Sequence, residues 1–112
     1  MAKRFTDSEK WGKTWWMELS SKNKVFWMYL LDNCNHAGIW EVNWRLAKFH
    51  CEGISENEIK VVFKKQYEVL NDGKKWFIKD FIEFQYGTLN ENVKAHKSVI
   101  DILSKYVKNI FK

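Results

Sequence analysis

Along residues 55–66 apolar side chains return at a helical interval. Ile59, Val62 and Phe63 stand at i, i+3 and i+4, and Gln66 takes the next step at i+7. That spacing predicts a short amphipathic helix with an inward stripe. The period then falls to two: residues 67–70 and 75–78 read as short alternating strands, with Asn71, Asp72, Gly73 and Lys74 between them. An Asp-Gly step accepts the positive φ angles of a tight hairpin, because glycine lacks a Cβ and aspartate tolerates the left-handed region. The outer face of the predicted helix carries Asn57, Lys60, Lys64 and Lys65, and the hairpin tip holds Lys74 and Lys75. A basic-faced helix followed by a basic-tipped hairpin has the form of a recognition helix with its wing, both able to touch one stretch of nucleic-acid backbone.

Upstream, residues 1–6 read as a short basic arm. Residues 7–19, with Trp11, Trp15 and Trp16, predict one or two helical turns that pack large rings against the domain. Ser20 and Ser21 offer an N-cap to the apolar run at 25–31, which reads as a helix apolar nearly all round and so as the central buried helix. Asn33, Asn35 and Gly38 supply the turn that ends it. Ile39, Trp40, Glu41 and Val42 form a run of strand length, a third strand beside the hairpin. Asn43 then caps a helix over 44–51 with Leu46, Ala47 and His50 on one side, and Gly53 stops it. Helix, short turn, helix is the helix-turn-helix order, and the small Ala47 suits a close crossing of two backbones.

Past the hairpin, residues 80–87 are open between a helical turn and an edge strand, the helical turn being preferred. Asn90 caps a last helix over about 91–108, along which Val93, His96, Ile100, Leu103, Val107 and Ile110 alternate by three and four. This is coiled-coil spacing over too few heptads to separate a homodimer seam from a helix packed on its own domain. The predicted fold class is mainly α with a small β-sheet: a winged helix-turn-helix with a three-helix core, a small antiparallel sheet with its wing hairpin, and an additional C-terminal helix. One domain is expected over 1–112, with a Trp-rich extension at 1–19, the core at 20–79 and a C-terminal extension at 80–112.

Composition agrees with a folded chain. Of 112 residues, 46% are hydrophobic and 17% aromatic, with seven Trp and eight Phe, which is core material enough to argue against disorder. The net charge of +5 favours an anionic partner. Counting Lys and Arg against Asp and Glu gives +3 over 1–24, −1 over 25–54, +2 over 55–79, −2 over 80–90 and +3 over 91–112. Positive charge therefore sits at both ends and on the helix and hairpin. Two cysteines, Cys34 and Cys51, make no disulfide framework, and reduced buried thiols suit a cytoplasmic setting. The longest apolar run, 25–31, is far below the roughly 18 residues of a membrane span. Lys3 and Arg4 are not followed by an apolar stretch, so the start does not resemble a signal peptide.

Several blocks in fixed order carry a resemblance. These are Lys3-Arg4-Phe5-Thr6-Asp7, Phe26-Trp27-Met28-Tyr29-Leu30-Leu31-Asp32-Asn33-Cys34 and His36-Ala37-Gly38-Ile39-Trp40-Glu41-Val42. They continue with Trp76-Phe77-Ile78, Phe81-Ile82-Glu83-Phe84-Gln85-Tyr86-Gly87 and Ala95-His96-Lys97-Ser98-Val99. Over nearly the whole chain they resemble the amino-terminal domain of bacteriophage replication proteins of the replisome-organiser type. The resemblance implies a winged-helix domain that binds DNA at a phage or prophage origin. It also implies a carboxy-terminal part that engages the host helicase-loading machinery. That part is expected outside these 112 residues, so contact with other replication proteins is not assigned to them.

The candidate DNA-binding residues are Asn57, Lys60, Lys64, Lys65, Lys74 and Lys75. The lysines neutralise phosphates, and Asn57 has the donor-acceptor pair suited to adenine. Glu56 and Glu58 stabilise the helix start but repel a phosphate backbone. The plain alternative for any one of these lysines is a solvated helix face. Zinc at Cys34, His36, His50 and Cys51 is not expected, because Cys-x-His and adjacent His-Cys depart from finger spacings. No spacing sets a nucleophile by a base or brings carboxylates together, and no glycine-rich phosphate loop is present, so neither catalysis nor a cofactor is expected. The competing class is a protein-docking or dimerisation module, in which the last helix or residues 81–86 bind a partner.

Overall fold

In the computed structural model, which describes residues 4–90 and 92–106, the chain opens on a 3-10 turn (Ser8–Gly12) and a short helix α1 (Thr14–Met17). Trp16 is fully buried and meets Trp11 and Trp15 edge-on, which bears out ring packing for this segment, although Trp11 itself stays 56% exposed. The arm ahead of it is held down. Phe5 and Gln85 exchange two hydrogen bonds of 3.0 Å, and Arg4 donates to the Cys34 carbonyl at 2.9 Å.

Helix α2 (Ser21–Asn33) begins at the predicted cap, with the Ser20 hydroxyl accepting from the Asn23 amide. It runs longer than the apolar stretch, and it is not buried all round, since Val25 and Met28 face outward. Phe26, Trp27 and Leu30 face inward. Phe26 stacks on Trp44 at 5.7 Å and Trp27 on Phe63 at 5.1 Å, so one turn of α2 ties together the elements on either side of it.

Strand β1 (Ile39–Glu41), helix α3 (Trp44–His50), helix α4 (Glu56–Val62), strand β2 (Tyr67–Leu70) and strand β3 (Lys75–Ile78) follow in that order. All three strands are antiparallel, with β3 in the centre. Trp40 pairs with Trp76 and Ile39 with Phe77, so the strand alternation sorts the rings. Trp40, Trp76 and Ile78 belong to the core under α2, whereas Ile39 and Phe77 belong to a second cluster on the opposite face. The described residues thus form a mainly helical fold built around a small three-stranded sheet.

The second cluster is covered from the carboxy-terminal side. Helix α5 (Phe81–Tyr86) settles 80–87 as helical, and helix α6 (Lys94–Tyr106) sends Val99 and Leu103 into the cluster with Ala37, Ile39 and Phe77. Two expectations are corrected. The last helix starts at Lys94, because the Asn90 side chain turns back on the Asn92 amide and so caps a loop. Its inward pair is Val99 and Leu103; Ile100 is only partly buried, and Val93 lies outside the helix and is exposed. Val107 and Ile110 lie outside the described residues. Gly38 lets this layer close: its φ is +80°, and a Cβ there would stand 2.7 Å from the Phe81 ring.

Candidate nucleic-acid interface

The two helices between β1 and β2 are built alike. Asn43 caps α3 by accepting from the Leu46 amide, and Ser55 caps α4 by accepting from the Glu58 amide. Each sends one fully buried residue inward, Ala47 or Ile59. Leu46 and His50, expected beside Ala47, are exposed instead, and His50 stacks on the Tyr29 ring at 5.8 Å. The inward side of α3 is thus held by Ala47, with Trp44 packed against the core one turn earlier.

Helix α4 stops at Val62, four residues before the predicted end. Phe63 takes the cap position, its amide bonded to the Ile59 carbonyl, and the Tyr67 hydroxyl donates to the Lys60 carbonyl. Lys64 and Lys65 therefore stand in the turn between helix and hairpin. Val62 is exposed too, which leaves Ile59 and Phe63 as the inward pair.

At the far end the hairpin closes through a four-residue loop, since Leu70 pairs with Lys75. Asn71, Asp72 and Gly73 take φ of +50°, +55° and +89°, so the left-handed turn expected of Asp-Gly is present and begins one residue earlier. The Lys74 carbonyl accepts from the Val42 amide at 3.0 Å, which sets the hairpin tip beside the start of α3.

These elements divide the six candidates. Lys60 is ion-paired to Glu56 at 2.9 Å and Lys75 to Glu41 at 2.8 Å. The Lys75 ammonium holds the Glu41 carboxyl below its ordinary range. Lys64, Lys65 and Lys74 are exposed and make no ion pair among the described residues. Asn57 is exposed on the side of α4 away from Ile59. Glu58 is turned to structural use, accepting from Asn23 Nδ2 at 3.1 Å and pairing with Lys22 at 3.6 Å.

The unpaired lysines fall in two groups, at the root and the tip of the hairpin. Five residues separate Lys65 from Leu70, which at about 3.3 Å each is on the order of 15 Å. The root gains a member that the sequence pattern did not indicate. The Lys79 amide bonds to the Gln66 carbonyl at 2.9 Å, bringing an exposed lysine from the end of β3 beside Lys64 and Lys65. Pairing register was the signal that could have found it, because Tyr67 opposite Ile78 fixes which residues close the root.

A second group was also overlooked. Arg45, Lys48 and Phe49 are exposed on α3, and no carboxylate occurs from Asn43 through Cys51. Cys34 and Cys51 are both buried; burial pushes the Cys34 thiol up to about 11. Among the described residues no three His, Cys, Asp or Glu side chains gather as a metal site would require, and no helix is long and apolar enough to cross a membrane. Comparison with protein families, curated proteins and solved structures finds no match to this chain.

Proposed function

We propose that this chain is a winged-helix DNA-binding domain of a phage or prophage replication protein, acting on duplex origin DNA in the bacterial cytoplasm. The observation that carries the reading is the element order from α2 to β3 with unpaired lysines at both ends of its hairpin. Helix, strand, helix, helix, strand, strand with the last strand central is the order of a winged helix, in which α4 takes the recognition position and the hairpin the wing. Lys64, Lys65 and Lys79 at the root and Lys74 at the tip then straddle a span long enough for several phosphates of one strand. Asn57 and Val61, both exposed on α4, supply an amide for adenine and an apolar contact for a thymine methyl.

The ion pairs limit the reading in a useful way. Lys60 and Lys75 are partly neutralised within the chain, so they add less affinity than their charge suggests. A homodimer through α6 would need its outer side, because Leu103 is fully buried in the chain's own core.

The test is duplex binding at two salt concentrations. Affinity falls steeply as salt rises, and the Lys64→Glu/Lys65→Glu variant binds every duplex sequence at least about tenfold more weakly. Its salt slope drops by about one for each lysine. Duplex binding unchanged in that variant would overturn the assignment of the root lysines.

A further inference from the structure

We propose that the outer surface of α3 is a stacking site for unpaired nucleic-acid bases, with Phe49 as the platform and Arg45 and Lys48 as its phosphate contacts. Phe49 is 76% exposed, the largest exposure of any large apolar side chain described. It belongs to neither core cluster, and its ring partner is the neighbouring His50, edge-on at 5.0 Å. With Ala47 pointing inward, a turn of 100° per residue sets Arg45 and Phe49 one above the other on the far side, with Lys48 on the flank. Neither cation is ion-paired among the described residues, and the flanking carboxylates in sequence, Glu41 and Glu52, lie before the helix begins and after it has ended, Glu41 being held by Lys75.

The chemistry around the ring selects the partner. A protein groove could cover Phe49, but it would strip water from Arg45 and Lys48 at the same time, and two desolvated cations need anions. An unpaired nucleotide offers both requirements in one unit. Its base presents a π face to the phenyl ring, and its phosphates meet the cations on either side. A duplex hides those base faces in its own stack, so the ligand is single-stranded. The site shares no residue with the hairpin lysines, and it would give one domain a grip on a strand exposed when an origin opens.

Anisotropy with a labelled oligothymidylate and with a labelled mixed-sequence duplex tests this on the 112-residue chain. Phe49→Ala is expected to weaken oligothymidylate binding about five- to a hundredfold while leaving duplex affinity within about twofold, and Phe49→Trp to preserve both. Lys64→Glu/Lys65→Glu is the converse control, because duplex affinity unchanged in that variant would remove the duplex assignment of the root lysines without touching this proposal. The proposal is overturned if Phe49→Ala binds oligothymidylate as well as the parent does, or loses duplex and single-strand affinity equally. It is also overturned if sedimentation shows a self-associating parent that Phe49→Ala makes monomeric, since the ring would then cover a second copy. The ring is exposed, so the variant is expected to fold, and an unchanged far-ultraviolet dichroism spectrum checks that.

Discussion

Helices α3 and α4 are the same length, seven residues each, and share a polar cap and a single buried anchor, yet they present opposite electrostatic faces. Helix α4 has Glu56 and Glu58 in its first turn, and both are engaged, one by Lys60 and the other by Lys22 and Asn23. Helix α3 has no acid, and its cations make no ion pair among the described residues. The difference teaches that the number of lysines on a helix says little about its field until each partner is located. On α4 the single lysine, Lys60, is taken up by Glu56, while Lys64 and Lys65 fall in the turn beyond it; on α3 Arg45 and Lys48 are both left without an ion pair among the described residues.

The largest effect that tests this pairing concerns the anchors. Ile59→Ala empties a fully buried position, and urea denaturation should show a loss of about 2–5 kcal/mol. Val61→Ala, two residues on and 74% exposed, should change stability by less than about 0.5 kcal/mol. If the two losses were alike, α4 would not have the inner and outer faces on which its comparison with α3 depends.

The caps come next. Ser55→Ala and Asn43→Ala each remove a hydrogen bond from the amide of the third residue past the cap, and each should cost about 1 kcal/mol by the same denaturation. Ser55→Ala should also lower duplex affinity on the proposed reading, whereas Asn43→Ala should fall more heavily on oligothymidylate. Equal effects on both ligands would mean that the helices do not serve separate surfaces.

Much of this was written locally in the chain. The serine and asparagine caps, the alternation of residues 67–70 and 75–78, and the Asp-Gly turn each depend on neighbours within a few residues, and the elements formed where those signals stood. What was hidden depends on distance. Glu58 meets Asn23 across 35 residues, and Lys79 meets Gln66 through strand register, so neither can be read from helical spacing. Averaging concealed the rest. Residues 25–54 sum to −1, and that total masks an acid-free α3 because Asp32, Glu41 and Glu52 lie outside it. The start of α6 was misread because an asparagine can cap a loop as readily as a helix, and only the backbone conformation decides which.

The smallest expected effect sharpens the contrast most directly. If α4 and the hairpin are weakened as a phosphate surface by their own acids, removing an acid should strengthen binding. Glu41 is exposed and its carboxyl is held below the ordinary range by the hydrogen bond from Lys75, so at neutral pH it is a full negative charge beside the hairpin tip. Replacing it by glutamine deletes that charge and leaves an acceptor of similar shape. Exposed pairs of this kind couple weakly, so duplex affinity for Glu41→Gln should rise by no more than about fivefold, and the gain should shrink as salt screens the site. The sign in acid follows from the same pair. A carboxyl whose folded value is lowered stabilises the fold above its ordinary range and loses that contribution as pH falls through the folded value, so the parent should lose stability there more than Glu41→Gln does. A fall in duplex affinity on Glu41→Gln would mean that Glu41 orients Lys75 toward phosphate and is not its competitor, and the distinction between a self-neutralised α4 surface and a free α3 surface would then have to be redrawn at the hairpin tip.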